Sequence, residues 1–293
     1  MGLPQVRGGT VSGGQEAGLG KNGLRKEKVS VYSRAMAGKI RVGTSGYSFG
    51  DWVGVFYPET IAKGKMLDFY ATYFDTVEVN STYYRIPHPK VLENMVKKTP
   101  EGFDFMVKAH SSATHQRQQL AAEAPKYLEA IKPVADNSKL KGILAQFPWS
   151  FKRSPANADH LKRCRELLAD HPLFVEFRHE SWIRQETFEL LKSLDIGYVS
   201  VDEPQLEGMV ESLAVATTRT GYVRLHGRNA DKWWNGGPLR YDYSYSDAEL
   251  REWIGKIERL RENTDTVYVF FNNCHEGQAV TNARRILEML DVK

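Results

Sequence analysis

The sequence predicts an α/β fold of one domain, a (β/α)8 or TIM barrel over residues 39–293, behind an N-terminal tail. Three observations carry that expectation. Eight short segments rich in β-branched and aromatic residues recur between residues 40 and 272, each bounded by turn residues, which is the pattern of strands. Between most of them lie stretches with apolar residues three and four apart, the period of a helix with one buried face. Together they fill about 255 residues, the usual size of such a barrel. A doubly wound open sheet would instead carry a GxGxxG turn after its first strand, and GTSGYSFG at 43–50 lacks that spacing.

In chain order, strand one is IRVGTS (40–45) and the helical stretch GKMLDFYATYF follows it. Strand two, TVEVN (76–80), leads to HPKVLENMVKK. Strand three, FDFMVKA (103–109), leads to APKYLEAIKPVA, and strand four, KGILAQF (141–147), to ANADHLKRCRELLAD. Strand five, LFVEFR (173–178), precedes SWIRQETFELLKSL. Strand six, IGYVSVD (196–202), is followed by DEPQLEGMVESLAVATTRT, which shows no convincing long helix. Strand seven, GYVRLHG (221–227), precedes a long loop and then SDAELREWIGKIERLREN. Strand eight, TVYVFFN (266–272), precedes GQAVTNARRILEMLD. Ser154-Pro155, Ser181 and Ser246-Asp247 are expected helix starts, because a hydroxyl or carboxylate there accepts from a free backbone N–H.

Residues 1–38 are rich in glycine and basic residues, lack either period, and are expected to be a disordered tail. Met36 stands just before strand one and is a candidate start of the protein. The tail holds six basic and two acidic residues, which accounts for the whole net charge of +4. The barrel is therefore neutral overall, and the sequence pI of 8.8 does not argue for a polyanionic partner. Cys164 and Cys274 form no CxxC motif, and no segment reaches the roughly 18 apolar residues of a membrane helix. A cytoplasmic protein with no membrane association is expected.

Alternation along the strands separates side chains facing the helices from those facing the barrel axis. Val77, Val79, Val107, Ala109, Val175 and Phe177 face outward on this reading. Glu78, Asn80, Lys108, His110, Gln146, Glu176, Arg178, Ser200, Asp202, Arg224, His226, Tyr268, Phe270 and Asn272 face inward. Barrel interiors are normally layers of Val, Ile and Leu, and buried charges cost several kcal/mol unless paired. A polar ring at the strand ends, where barrel active sites form, points to function, with a self-neutralising ionic plug as the plain alternative.

GTSGYSFGDWVGVFYP, FDTVEVNSTYYRIP, FMVKAH, LAQFPWSF, VEFRHESW, VDEP, YVRLHG and VYVFFNN resemble, block by block, the YecE-like family, also called domain of unknown function seventy-two. The resemblance spans about residues 40 to 290. It implies a TIM barrel and supplies no settled activity or catalytic residue.

The chemistry must therefore come from the residues. Glu78, His110, Glu176, Asp202 and His226 are five potential metal ligands, but Lys108, Arg178 and Arg224 share their space and no HxH or HExxH spacing occurs, so no metal or other cofactor is assigned. Glycosidic chemistry would call for acids at the ends of strands four and seven, where Gln146 and His226 stand. The leading expectation is an enzyme, of hydrolase type, acting on a small anionic substrate: a phosphate or phosphodiester, with nucleic-acid-derived compounds among the candidates. In this reading Lys108, Arg178, Arg224 and Arg228 supply positive potential and forked hydrogen bonds. His226 or His110 acts as general acid or base, and Glu78 or Glu176 as base or orienter, with Asp202 as a further acid of the set. Asn80, Gln146, Asn272, Trp233 and Trp234 complete the binding residues.

The loop after strand seven is long enough for a lid and mixes Trp233, Trp234, Tyr241, Tyr243 and Tyr245 with Arg228, Lys232 and Arg240. Tyr47, Trp52, Tyr57, Tyr83, Tyr84 and Arg85 would widen that aromatic rim. His88, His160 and His171 are expected to be structural. Two other readings stay open: a non-catalytic nucleic-acid-binding barrel, and a metal-dependent hydrolase or isomerase.

Overall fold

The computed structural model of the chain describes residues 38–168 and 171–291. Its eight parallel strands are β1 (Lys39–Thr44), β2 (Thr76–Val79), β3 (Asp104–Lys108), β4 (Leu140–Gln146), β5 (Leu173–Glu176), β6 (Ile196–Asp202), β7 (Thr220–Leu225) and β8 (Thr266–Phe271). Consecutive strands from β2 to β8 pair in order, and β1 pairs with β8. The ring closes where Ser45 bridges Glu78, which makes the fold a TIM barrel. Residues 1–37 of the expected tail lie outside the described residues. Gly38, counted with that tail, is buried, and its backbone exchanges hydrogen bonds with Arg261.

Helices cover the strands: α1 (Met66–Tyr70), α2 (Ser81–Tyr84), α3 (Pro89–Lys97), α4 (Ser111–Thr114), α5 (Leu120–Asp136), α6 (Pro155–Leu167), α7 (Gln185–Ser193), α8 (Asp247–Arg261) and α9 (Gln278–Leu290). All seven expected helical stretches are present. Ser154 caps α6 and Ser246 forms a capping box with Glu249 on α8. Ser181 does not cap a helix; it sits in a 3-10 turn, where its Oγ accepts from the Arg153 backbone at 2.9 Å.

The seam between β1 and β2 is the weakest place in the ring and shows how it closes. A Cβ on Gly43 would lie 2.3 Å from the Thr76 carbonyl oxygen, so the two backbones approach only because that residue is glycine. In place of a ladder bond, the Tyr70 hydroxyl accepts from the Thr44 backbone N–H at 2.9 Å and donates to the Thr76 carbonyl at 3.1 Å. Inside the barrel, Phe174 fills the volume left by glycines on the flanking strands. A Cβ on Gly142 or Gly197 would come within 2.4 or 2.2 Å of its ring.

The faces of β6 differ from expectation. Val199 pairs with Tyr222 and Asp202 with Leu225, and Tyr222 faces the axis, so laterally paired residues put Val199 and Val201 inward and Ser200 and Asp202 outward. No helix separates β6 from β7 among the described residues. The irregular segment that crosses there needs partners for its backbone. Ser200 Oγ takes the Val215 N–H at 3.1 Å, and Thr217 Oγ1 takes the Tyr198 N–H at 2.8 Å. Polar residues on β6 thus serve the crossover, and the inward residue at the strand's end is Glu203.

Replacing Tyr70 by phenylalanine should cost about 2–3 kcal/mol in chemical denaturation, because it strands the Thr44 donor and the Thr76 acceptor in a buried seam. A loss below about 0.5 kcal/mol would show that the seam does not depend on the hydroxyl.

Candidate functional site at the barrel mouth

The C-terminal ends of β2, β5 and β7 carry a fully buried ionic cluster. From β7, Arg224 reaches across the barrel and forks onto Glu78 of β2, with Nε to Oε2 at 2.8 Å and Nη2 to Oε1 at 2.7 Å. Its Nη1 donates to Glu176 of β5 at 2.5 Å, and Tyr222 donates its hydroxyl to Glu78 at 2.5 Å. Arg224 is 1% exposed, and its guanidinium is spent on these carboxylates. It does not open onto solvent as a free anion binder. The same engagement occupies Glu78 and Glu176 as metal ligands, and among the described residues no group of three or more His, Cys, Asp and Glu is placed to hold a metal ion.

Above this layer lies Arg178. Its Nε donates to Glu176 Oε1 at 2.6 Å, its Nη1 to Glu203 Oε2 at 2.5 Å, and its Nη2 lies 3.0 Å from His226 Nε2. His226 is buried, with Asn272 Nδ2 2.9 Å from its Nδ1. Burial, with help from Arg178, pushes the imidazole down to about 3, so it is neutral and serves as a connector between β7 and β8. The two acids that share Arg178 are driven apart. Burial opposes ionisation of Glu176, yet Arg178 and Arg224 outweigh it and hold the carboxylate well below its ordinary range. Glu203 is buried as well, has a weaker share of positive charge and faces Glu176, and is pushed up to about 8. Its Oε1 has no hydrogen-bond partner.

Lys108 ends β3 beside the cluster, with Nζ 2.9 Å from Gln146 Oε1 and 4.7 Å from the centre of the Tyr83 ring. Over Arg178 opens a cavity of about 290 Å³. Arg178, Gln146, His115, Trp149, Trp233, Trp234, Tyr241 and Arg240 belong to its lining. No carboxylate belongs to that lining. Trp233 is 3% exposed with the Arg178 guanidinium 5.6 Å from its ring centre, while Trp234 is half exposed and meets Trp149 edge to face.

The inferred site is therefore brought together in part. Glu78, Glu176, Arg178, Arg224, His226, Asn272, Lys108, Gln146, Trp233 and Trp234 share the mouth. Asn80 ends β2, and its Oδ1 has no hydrogen-bond partner. His110 is not directed into this cluster: its Nδ1 faces the Ser112 N–H and hydroxyl as the cap of α4. Asp202 and Arg228 form a separate knot on the outer face, where Arg228 forks onto Asp202 and also reaches Glu249 and Glu252 of α8. Tyr245 donates to Asp202 at 2.6 Å and completes it. Trp52 and Tyr57 are buried under the β1 loop and do not widen the rim, whereas Tyr84 is 81% exposed. His88 caps α3 and His160 sits 2.8 Å from the Ala113 carbonyl, both structural as expected.

Glu203 is the main residue that sequence reasoning missed. The signal was present in VDEP, because reading β6 with valines inward places Glu203 beside Glu176 and Arg178. His115, Trp149, Arg240 and Tyr241 were also outside the inferred site, and their place depends on how loops fold over the mouth.

A family model described as "Protein of unknown function DUF72" matches residues 41–293. The UPF0759 protein YunF of Bacillus subtilis is 33% identical over 272 residues, covering 87% of this chain and 95% of its own. A DUF72 family protein of Thermotoga maritima, solved by crystallography, is 40% identical with a TM-score of 0.81, over 86% of this chain and 99% of that one. One from Enterococcus faecalis is 26% identical with a TM-score of 0.79, over 87% of this chain and 96% of that one. The blocks that end the strands and the barrel they build thus agree with these matches, and the chain belongs to the DUF72 family.

Proposed function

We propose that the protein is an enzyme that binds a small anionic substrate, a phosphate or phosphodiester compound, in the cavity at the barrel mouth, with the Glu203 and Glu176 pair, buried behind Arg178 and outside the cavity lining, as its acid and base once Arg178 turns to the anion. The observation that carries this reading is the cavity lining: two guanidinium groups, four aromatic rings and no carboxylate. Charge in the cluster beneath supports it. Lys108, Arg178 and Arg224 face the carboxylates of Glu78 and Glu176, while Glu203 is largely protonated near neutrality, so the floor carries excess positive charge. A dianion in the cavity would restore the balance with charge-assisted hydrogen bonds from Arg178 and Arg240.

Two carboxyls whose surroundings push their proton affinities apart are what acid and base chemistry at one pH requires. Glu176 stays ionised and Glu203 holds a proton, and Arg178 joins them. An anion that draws Arg178 toward itself leaves Glu203 with a proton to give. The half-exposed face of Trp234 fits a flat group on the substrate, as a nucleobase would be.

Titrating tryptophan fluorescence with inorganic phosphate and with a nucleoside monophosphate should show saturable binding that weakens about tenfold or more in Arg240→Ala, the loss expected for a charged hydrogen bond. The denaturation midpoint should not move, since the Arg240 side chain makes one hydrogen bond, to Gly237. Absence of binding at low salt would remove the reading.

The raised Glu203 carboxyl has a consequence for stability. Its protonated form is favoured by the fold, so that contribution is complete below the ordinary value of 4.5 and is lost as pH rises toward about 8. His226, held down to about 3, adds stability as pH rises to 6.5 and nothing beyond. Between pH 6.5 and 8 the wild type should therefore lose about 1–2 kcal/mol relative to Glu203→Gln. Parallel stability curves across that window would mean Glu203 is ionised throughout.

A further inference from the structure

Lys108 is a half-buried base that the ionic cluster leaves aside. The buried Lys139 shows what a settled ammonium looks like in this fold. Its Nζ donates to the carbonyls of Val96, Thr99 and Pro100 and to the Thr99 hydroxyl. Lys108 donates to one acceptor, the neutral amide oxygen of Gln146, and otherwise faces the Tyr83 ring. None of the ion pairs among the described residues includes it, because Glu78 and Glu176, the acids whose charges reach it, are held by Arg224 and Arg178. Burial and the nearby Arg224 charge bring its amine down to about 8. Its amine lies directly behind the cavity: the Gln146 amide that it meets at 2.9 Å belongs to the lining, and Lys108 itself is partly open.

An amine desolvated beside other cations is the arrangement that makes a lysine nucleophilic near neutral pH. We infer that Lys108 condenses with the carbonyl carbon of an aldehyde or ketone that carries a phosphate group, forming an imine beside Gln146 at the edge of the cavity while Arg178 and Arg240 hold the phosphate. This rests on the anion-binding reading of the same cavity and names the substrate class. The ammonium loses one proton, and the nitrogen lone pair forms a C–N bond as the carbonyl π pair moves to oxygen. A second proton passes from nitrogen to that oxygen, giving the carbinolamine. The proton first released returns to the hydroxyl, which leaves as water while the nitrogen lone pair closes the C=N bond. Ammonium and carbonyl thus give iminium and water, with no other reactant.

The test is reductive trapping of the full chain with glycolaldehyde phosphate and sodium cyanoborohydride, followed by peptide mapping by mass spectrometry. The expected result is an adduct on Lys108 formed at least tenfold faster than on any surface lysine, with a rate that rises up to about pH 8 and falls when inorganic phosphate is added. Gln146→Glu places a carboxylate beside the amine and should slow trapping tenfold or more below pH 8, and Lys108→Arg should abolish the preferred adduct. If inorganic phosphate binds but Lys108 is labelled no faster than surface lysines, the imine proposal fails and the anion site stands. If Lys108 is labelled preferentially and phosphate neither binds nor protects, the nucleophile stands and the anion site fails.

Discussion

The upper half of this barrel depends on one guanidinium. Arg224 comes from β7, yet its partners are on β2 and β5, so a single side chain ties three strands across the axis where other barrels place apolar layers. Such a group is expensive to bury and repays that cost only if every donor is met. Here Glu78 takes two donors and Glu176 a third, and Ser45, next to the closing seam, lies 3.4 Å from the Nη2. The arrangement also decides what its neighbours can do. Arg178 and Arg224 together outweigh burial and keep the Glu176 carboxylate ionised, whereas buried Glu203 has Arg178 alone. The divergent proton affinities of two adjacent acids therefore follow from how two arginines are shared between them.

Most of the architecture was legible because strands and helices advertise their periods locally. The valines of β2 and β5 and the polar residues between them read correctly, so Glu78, Glu176 and Arg178 could be placed at the mouth from alternation alone. β6 was misread for a physical reason. Alternation tells which residues share a face, but polarity was used to decide which face is inner, and that rule assumes an apolar helix on the outside. Over β6 the cover includes irregular chain, whose Val215 N–H is taken by Ser200 and whose Thr217 hydroxyl takes the Tyr198 N–H of the strand, so the polar face is the outer one. Asp202 went with it, and Glu203 was lost from view.

The histidines mark a second limit. His88, His110 and His179 all accept from a backbone N–H two residues on, at the start of a helix or 3-10 turn. That role depends on how the chain bends after a strand or loop, which single-residue chemistry does not show. His226 differs, being central and fully buried, but its burial beside Arg178 keeps it neutral and ties it to Asn272. An imidazole in a polar ring suggests proton transfer, yet here the groups with displaced affinities on the acid side are carboxyls. The Asp202–Arg228 knot makes the complementary point. Its charges are as dense as those of the mouth, but they face α8, where they anchor the loop after β7 and hence the walls contributed by Trp233, Trp234 and Tyr241.

The mouth combines features that a merely structural plug would not require. A plug needs acids and bases in equal number, and Arg178 and Arg224 with Glu78 and Glu176 already supply two of each. Adding Lys108 without a carboxylate, and Arg240 without an ion pair at the rim, raises the positive charge beyond what the fold's own acids can neutralise. A protonated Glu203 is neutral and does nothing to reduce that excess. Each of these is unfavourable for an empty site, since like charges repel and a buried carboxyl with an unpartnered oxygen is costly. On the proposed anion-binding reading they become favourable together, because an anion gives the guanidinium groups a partner, and interaction energy that the fold leaves unused is available for binding.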